Sequence, residues 1–331
     1  MKAEAVVFTA PNTVEFQTVD CPDPGPEDIV LRLTHSWISN GTEGSFLRGE
    51  RIAGDTPYRE GSPWPFPIVV GYQRVGVVEW VGAEITDLEV GETVFSTYGR
   101  IDGLFQDRGG QCSPSVCRRE NVWKLPPDTD PLSFAGLVLT QVGYNCGIRP
   151  SVEIGDAAVV MGDGMVGQWA AQTLAWRGAR VLLVGRHEDR LAKFPQGHGR
   201  YCLNAREADW KEAVRRLFPE GLQVAVDTVG SIELLEDVQE FMRHYGHLVS
   251  AGFYGTQDSL PLQSPRHKEL SVDLVAGLSR PRMDRTRELV AAGHLQTLPL
   301  ITHRFPAARA TDAWRLIESK SEPVMGVILE W

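Results

Sequence analysis

Length, composition and charge limit the kinds of protein that this chain can be. With 331 residues it exceeds the usual size of a single hydrophobic core, so we expect two domains. Its 42% hydrophobic and 23% charged residues are ordinary for a globular protein and exclude a disordered chain. A net charge of -10 opposes binding to nucleic acid or anionic membranes, and no apolar run is long enough to span a bilayer.

The five cysteines bear on the cellular compartment. They are odd in number and scattered, which is not the pattern of a disulfide framework. The N-terminal segment also lacks the long apolar stretch of a signal peptide. We therefore expect a cytoplasmic protein that acts on a small molecule.

The predicted elements of the first third are short strands. Runs of β-branched residues at 29–33, 67–72 and 75–82 are separated by Pro and Gly. The tract 48–67 is so rich in Pro and Gly that it excludes a regular helix and predicts a long loop. The N-terminal region is therefore predicted to be an irregular β domain.

From about residue 156 the pattern changes to apolar strands that alternate with helices. This alternation predicts βαβ units, and hence a parallel sheet with helices on both faces. A last apolar run at 325–331 has the pattern of a return to the first domain. The predicted domains are a catalytic β domain at 1–127, a cofactor-binding α/β domain at 128–278, and the return at 279–331.

A glycine-rich turn marks the start of the α/β domain. Gly162, Gly164 and Gly167 have GxGxxG spacing directly after a strand and at the start of a helix. The spacing permits a tight turn, backbone approach to a pyrophosphate and close packing of the helix. The alternative is a turn without a ligand, but the flanking elements favour a nicotinamide dinucleotide. The predicted cofactor-binding residues of this turn are Gly162, Asp163, Gly164, Met165, Val166 and Gly167.

The end of the next strand bears on which cofactor binds. An NAD enzyme usually presents Asp or Glu there to the adenosine ribose, whereas this chain has Gly185, Arg186 and His187. Without a carboxylate a 2′-phosphate is not repelled, and Arg186 can pair with it. The sequence therefore predicts NADP(H) rather than NAD(H). In the alternative, Arg186 stacks on adenine or points to solvent, and Glu188 or Asp189 reaches the ribose.

Two further strand ends are candidates for the cofactor site. Asp227 and Gly230 follow one strand, and Gly252, Phe253 and Tyr254 follow the next. A dinucleotide crosses the carboxyl edge of such a sheet, so we predict that these residues shape the nicotinamide half of the site. Glycines at strand ends also often serve only the turn.

Segments in a characteristic order resemble the medium-chain dehydrogenase/reductase superfamily. They are ISNGTE at 38–43, VVGYQRVGVV at 69–78, VGETVF at 90–95, the stretch 109–127, and the α/β unit through VAVDTVG at 224–230. The resemblance spans essentially the whole chain. It implies an α/β protein with a GroES-like β catalytic domain and a Rossmann domain, which is a doubly wound parallel sheet. It also implies a homodimer in which Rossmann edge strands pair, at 271–277.

The chain departs from this family where the alcohol dehydrogenases bind zinc. Their ligands are a Cys in the first motif and His and Glu in the second, whereas this chain has Asn40, Tyr72 and Gln73. These residues offer no thiolate, imidazole or carboxylate. Cys112 and Cys117 lack a second cysteine pair and are expected to be ordinary strand residues. The resemblance is therefore to zinc-free branches, and ISNGTE is similar to the branch of the bacteriochlorophyllide dehydrogenases.

A site without zinc needs another group to protonate or stabilise the substrate oxygen. Tyr72 is the first candidate, and the alternative is a buried aromatic side chain. Thr42 is the second, unless its hydroxyl caps the following helix. Asn40 is the third and would hold substrate or water. Glu43 either orients Thr42 or interacts with the cofactor, or it is a solvated or capping carboxylate. His35 either relays protons or is structural.

The predicted function is a zinc-independent oxidoreductase that transfers a hydride between NADP(H) and a ketone or secondary alcohol. One alternative is a quinone or enoyl reductase of the same superfamily. The other is a dinucleotide-binding protein without catalytic activity, because a fold does not fix a function.

Overall fold

The chain divides into two compact units. In the computed structural model, the first unit comprises Met1–Val138 and Ile301–Trp331, and the second comprises Leu139–Leu300. The structure describes residues 1–53, 56–59, 65–254 and 258–331.

The strands and helices are numbered in chain order. The strands are β1 (Lys2–Ala10), β2 (Thr13–Asp20), β3 (Asp28–Trp37), β4 (Arg51–Ala53), β5 (Thr56–Pro57), β6 (Ile68–Val69), β7 (Arg74–Val81), β8 (Thr93–Ser96), β9 (Gly99–Arg100), β10 (Arg108–Gly109), β11 (Cys112–Ser113), β12 (Ser115–Arg118), β13 (Val122–Lys124), β14 (Ala157–Met161), β15 (Arg180–Gly185), β16 (Arg200–Asn204), β17 (Leu222–Asp227), β18 (Met242–Ser250), β19 (Ser271–Leu274), β20 (Ile301–Pro306) and β21 (Gly326–Glu330). The α-helices are α1 (Asn40–Leu47), α2 (Leu137–Ile148), α3 (Met165–Trp176), α4 (Glu188–Leu191), α5 (Trp210–Leu217), α6 (Ile232–Val238), α7 (Gln263–His267), α8 (Arg280–Ala291) and α9 (Ala310–Ser319). Short 3-10 helices lie at Arg119–Asn121, Pro131–Phe134, Gln239–Phe241, Leu298–Leu300 and Ala307–Arg309.

The first unit is built on two sheets. In the larger sheet the order is β13-β8-β7-β3-β21-β20, and β12 also pairs with β3. In the smaller sheet β1 lies between β11 and β2 and also pairs with β6. Alternate residues of β3, namely Ile29, Leu31 and Leu33, are at most 1% exposed. This period of two is expected of a strand with one face on a core, and it agrees with the predicted β domain.

The end of the chain returns to the first unit. β21 pairs antiparallel with β3, where Ile328 is the partner of Trp37. Helix α9 packs on the smaller sheet and buries Trp314, whose ring meets Phe8 edge-on at 5.2 Å. The apolar run at 325–331 therefore supplies β21 to the larger sheet, next to β3.

The second unit is a doubly wound parallel sheet, as predicted. Its strand order is β16-β15-β14-β17-β18-β19, and each neighbouring pair is parallel. This is the order of the Rossmann fold, in which the chain begins in the middle and winds outwards in both directions. Ala170 and Leu174 of α3 pack on one face, and Val214 of α5 packs on the other. Every residue of β14, in the middle, is buried.

The unit boundaries lie later in the chain than the sequence predicted. They fall after residues 138 and 300 rather than after 127 and 278. The second difference arises because α8 packs on the α/β unit. Met283 is fully buried there, and Arg282 Nε donates to Gln141 Oε1 at 3.1 Å. The local sequence pattern of α8, which follows β19, would be the same in either domain. Its packing alone therefore assigns α8 to the α/β unit.

Three smaller expectations concern the membrane, the cysteines and the Pro-rich tract. No helix in the described part of the chain is long and apolar enough to cross a membrane. Cys112 and Cys117 are buried strand residues. Of the tract 48–67, residues 54–55 and 60–64 lie outside the described residues, and the described part includes β4 and β5.

Candidate active site

The glycine-rich turn joins β14 to α3 in the second unit. Gly162 has a φ of +116°, a conformation that favours glycine, and its carbonyl oxygen leaves no room for a Cβ at Gly167. Gly164 has nothing within 4 Å of where its Cβ would be, and α3 begins at the next residues, Met165 and Val166. The helix N-terminus therefore presents backbone N–H groups at an open position, where an anion can bind.

Asp163 connects this turn to the end of β15. Its Oδ2 accepts the backbone N–H of Arg186 at 2.7 Å and that of His187 at 2.9 Å. His187 Nδ1 lies 3.0 Å from the same oxygen, and Arg190 Nη1 lies 3.5 Å from Oδ1. The Asp163 side chain is 7% exposed, whereas Arg186 is exposed. One premise of the predicted NADP(H) preference, that no carboxylate lies at the end of β15, therefore does not hold.

Asp227 fastens the turn that follows β17. Its carboxylate accepts the N–H groups of Val229, Gly230 and Ser231 at 2.9 to 3.0 Å, and the hydroxyl of Tyr254 at 2.5 Å. Burial, and then the hydrogen bond to Asp227, raise the pKa of Tyr254, so its phenol stays protonated and donates. Four donors occupy the acceptor sites of this carboxylate. Asp227 therefore holds the turn through bonds within the protein, and its place in a cofactor site stays a prediction.

Gly252 and Phe253 complete the carboxyl edge of the sheet. The backbone of Gly230 leaves no room for a Cβ at Gly252, so the two turns lie in close contact. The side chains of Val229 and Phe253 are 57% and 54% exposed, respectively. Two exposed apolar side chains beside a glycine-lined turn form a surface suited to a flat, partly apolar ring.

A cluster of hydroxyl groups lies at the start of α1 in the first unit. Tyr72 follows β6 and donates its hydroxyl to Ser39 Oγ at 2.6 Å, and the side chain of Thr42 is near enough to lower the pKa of the Tyr72 phenol in part. Burial raises the pKa of Tyr72 above its usual range, so the phenol is protonated at neutral pH. The structure therefore brings two predicted catalytic residues together with Ser39, which the sequence analysis missed.

The carboxyl group of Glu43 is buried beside this cluster. The residue is 1% exposed, and its Oε1 accepts the N–H of Ser39 at 2.8 Å. Ser39 is the N-cap of α1, so this bond satisfies the backbone N–H of the N-cap residue, as the acid of a capping box does, but from one residue further into the helix. Burial outweighs this bond and a 3.5 Å contact with Gln111, and raises the pKa of Glu43 to about 8. Glu43 thus has a capping role, whereas Thr42 lies inside the helix and does not cap it.

Hydrogen bonds continue from this carboxyl group to the C-terminal strand. Gln111 Oε1 accepts the hydroxyl of Ser36, which in turn accepts the indole N–H of Trp331 at 2.9 Å. Arg74 is fully buried and donates to the carbonyl of Gly110 at 2.7 Å, which holds the segment that carries Gln111. The sequence analysis missed these residues. Only Arg74 gave a signal, as a charged residue in an apolar strand.

His35 is a strand residue of β3 rather than part of the hydroxyl cluster. Its partners in the neighbouring strands are Val75 and Glu330. Burial lowers the pKa of His35, so its imidazole is neutral at pH 7. These surroundings are those of a structural histidine, the alternative to a proton relay.

The residues at the family's zinc positions make hydrogen bonds within the protein. Asn40 Nδ2 donates to the carbonyl of Met325 at 2.8 Å, and Gln73 Nε2 donates to that of Trp37 at 3.2 Å. In the described residues, no three His, Cys, Asp or Glu side chains are grouped so as to hold a metal ion. Two amides and the protonated phenol of Tyr72 are not the ligands that zinc takes, so these residues do not fit a zinc ion.

Known proteins that are similar to this chain are dehydrogenases. A family model for zinc-binding dehydrogenases matches residues 166–292. The chain is 26% identical to 2-desacetyl-2-hydroxyethyl bacteriochlorophyllide A dehydrogenase of Cereibacter sphaeroides, over 100% of this chain and 99% of that protein. These matches support the resemblance of the chain to the medium-chain dehydrogenase/reductase superfamily.

Solved structures confirm the fold, a GroES-like domain with a Rossmann domain. A short chain alcohol dehydrogenase from Escherichia coli, complexed with NADH, has a TM-score of 0.85 at 19% identity, over 100% of this chain and 99% of that one. A putative zinc-binding dehydrogenase from Sinorhizobium meliloti, bound to NADP, has a TM-score of 0.82 at 18% identity, over 100% of both chains.

Replacing Glu43 with Gln is expected to remove a pH dependence of stability. The pKa of this carboxyl group rises from 4.5, its ordinary value, to about 8 in the folded protein. Between these values the folded state holds a proton that the unfolded state releases, so stability is full at low pH and falls as pH rises towards 8. The limiting slope is about 1.4 kcal/mol per pH unit. Urea titrations across this pH range measure the free energy of unfolding.

The amide of Glu43→Gln is neutral at every pH, so its stability should vary less over this range than that of the wild type. Glu84→Gln, at an exposed position, should follow the wild type. Equal slopes in all three proteins would show that Glu43 does not bind this proton.

Proposed function

We propose that the chain is a nicotinamide-dependent oxidoreductase that interconverts a secondary alcohol and a ketone without zinc. The observation that carries the proposal is an intact glycine-rich turn at the N-terminus of α3 in a chain that also has the Tyr72 hydroxyl cluster. Its relatives are dehydrogenases, which supports the oxidoreductase class. The proposal assigns cofactor binding to the second unit and proton transfer to the first.

The hydroxyl cluster supports a role in proton transfer. When bound, a nicotinamide cofactor supplies or takes up a hydride, and reduction leaves negative charge on the substrate oxygen. Tyr72 keeps its proton at neutral pH because burial raises its pKa. Its hydroxyl donates to Ser39 in the structure, so donation to substrate requires Ser39 to turn and donate to Tyr72 instead. The side chain of Thr42 also acts on the pKa of this phenol, so we include its hydroxyl with those of Tyr72 and Ser39 in the path for the proton.

The preference between NAD(H) and NADP(H) depends on the groups at the end of β15. The predicted preference for NADP(H) through Arg186 and His187 stays a prediction, and Asp163 removes one of its premises. Relatives of this fold bind either NADH or NADP. The turn itself accepts the pyrophosphate that both cofactors share.

Replacing Tyr72 with Phe is expected to lower kcat/KM by about 10² or more, because the variant keeps the ring but loses the proton donor. The measurement is the absorbance of reduced nicotinamide with a panel of secondary alcohols, ketones, quinones and enones. Turnover of the alcohols and ketones supports the proposal. Turnover of quinones or enones alone would favour the quinone or enoyl reductase, and cofactor binding without any turnover would favour a non-catalytic protein.

Tyr245→Phe is the matched control, since Tyr245 is 64% exposed and lies in the other unit. It should retain wild-type kcat/KM. Full activity in Tyr72→Phe would remove Tyr72 from the proposed chemistry.

Activity is expected to be independent of zinc. The residues at Asn40, Tyr72 and Gln73 are bonded within the protein and do not suit the metal. Elemental analysis of purified protein should find far less than one zinc per chain, and prolonged dialysis against a chelator should leave kcat/KM unchanged. One tightly bound zinc per chain, with loss of turnover on its removal, would contradict this.

The edge of the parallel sheet supports the predicted homodimer. β19 lies at the end of the strand order and pairs with β18. Val272 and Leu274 of β19 are 39% and 70% exposed, and Leu278, just beyond the strand, is 37% exposed. An edge strand with exposed apolar side chains is a template for pairing with another strand. We propose that residues 271–277 pair with their counterpart in a second copy.

Leu274→Lys is expected to convert the dimer to single chains, because the pairing would bury a charge. Light scattering after size exclusion measures the mass. Ile154→Lys, at a position 91% exposed and outside the edge strand, is the control and should remain dimeric. A single-chain mass for the wild type would exclude the proposed pairing.

A further inference from the structure

We propose that Asp163 selects the cofactor: its carboxylate takes the place of the missing acid at the end of β15, accepts an adenosine ribose hydroxyl, and disfavours a 2′-phosphate, so that the protein prefers NAD(H). This inference rests on the proposed function only in requiring that a nicotinamide dinucleotide binds. It revises the preference that the sequence predicted from Arg186.

The sheet brings Asp163 to the position of a strand-end acid. β14 and β15 are parallel neighbours, with Met161 opposite Val184. Asp163 lies two residues beyond Met161, and Arg186 lies two residues beyond Val184. The two segments therefore leave the sheet side by side, and the side chain of Asp163 spans the gap between them.

Gly185 shows that the carboxylate occupies the space of the usual side chain. A Cβ at position 185 would lie 2.6 Å from Cγ of Asp163, closer than real Cβ contacts. A side chain therefore does not fit at position 185. The acid that an NAD enzyme carries at the strand end is instead supplied by the neighbouring turn.

The donors around Asp163 are those that a phosphate would need. The successive N–H groups of Arg186 and His187 both already donate to Oδ2 of Asp163. A 2′-phosphate at this position would have to displace a carboxylate bound at 2.7 and 2.9 Å. The other oxygen, Oδ1, has longer contacts, at 3.2 Å to His187 Nδ1 and 3.5 Å to Arg190 Nη1. It retains capacity to accept a hydroxyl.

The charges near the end of β15 also disfavour a phosphate. Three carboxylates accompany two guanidinium groups there: Asp163, Glu188, Asp189, Arg186 and Arg190. Arg186 is exposed, so solvent screens its attraction for a phosphate. Asp163 is 7% exposed, so its repulsion is screened much less. The buried carboxylate therefore outweighs the exposed guanidinium.

The test compares NADH and NADPH binding to wild type and Asp163→Asn, using the fluorescence of the reduced nicotinamide. The wild type should bind NADH more tightly by about tenfold or more. In Asp163→Asn the ratio of the two Kd values should shift towards NADPH by about tenfold or more, because the charge is lost while an acceptor oxygen remains. Glu212→Gln removes one exposed charge elsewhere and should leave the ratio unchanged.

Arg186→Ala provides a second variant that does not disturb the carboxylate. The inference expects its Kd for NADH to be close to that of the wild type. Tighter wild-type binding of NADPH, lost selectively in Arg186→Ala, would overturn the inference in favour of the guanidinium. Equal weakening of both cofactors in Asp163→Asn would also overturn it, because Asp163 would then only brace the turn.

Binding and turnover separate this inference from the proposed function. Preferential NADH binding that shifts in Asp163→Asn supports the role of Asp163 even if no alcohol or ketone is turned over. Failure to bind either cofactor would overturn both.

Discussion

The parallel pairing of β14 with β15 is the constraint on which the cofactor half depends. Val160 and Leu183 are partners in this pair and are fully buried, so the register is fixed by packing on the sheet. That register brings the glycine-rich turn and the end of β15 to one edge, where Asp163 meets two backbone N–H groups. A shift of one residue would turn the buried side chains to the other face and separate these groups.

The sequence predicted those parts of the molecule that have a local pattern. The GxGxxG turn, the strand ends at Asp227 and Gly252, and the order of the two domains all follow from spacing within short segments. The hydrogen bond between Ser36 and Gln111 joins residues 75 positions apart, and no local pattern indicates it. The bonds of Asp163 were missed for a related reason, since they depend on the reach of a side chain between strands. The predicted boundary after residue 278 lies before α8, whereas the α/β unit extends to Leu300, because only packing assigns that helix.

The first unit stabilises a buried polar region by distributing hydrogen bonds rather than by pairing full charges. Asn40 and Gln73 each donate to a backbone carbonyl, and Arg74 donates to the carbonyl of Gly110. Glu43 keeps its proton through part of the neutral pH range because its pKa is raised to about 8, which reduces the cost of burying it. Such a region is stable only when most of its members have partners. Asn40 and Gln73, at two of the family's zinc positions, thus stabilise the fold of this protein through their hydrogen bonds.

The contact between Asp163 and Gly185 makes two positions interdependent. Any side chain at 185 would collide with the carboxylate, and a shorter residue at 163 would leave two backbone donors without their acceptor. Substitutions at the two sites are therefore not additive, and each changes what the other tolerates. Moving the acid to position 185 by mutagenesis therefore requires a shorter residue at 163 in the same variant. Evolution by single substitutions would pass through a protein that has either the clash at 185 or the two backbone donors without their acceptor.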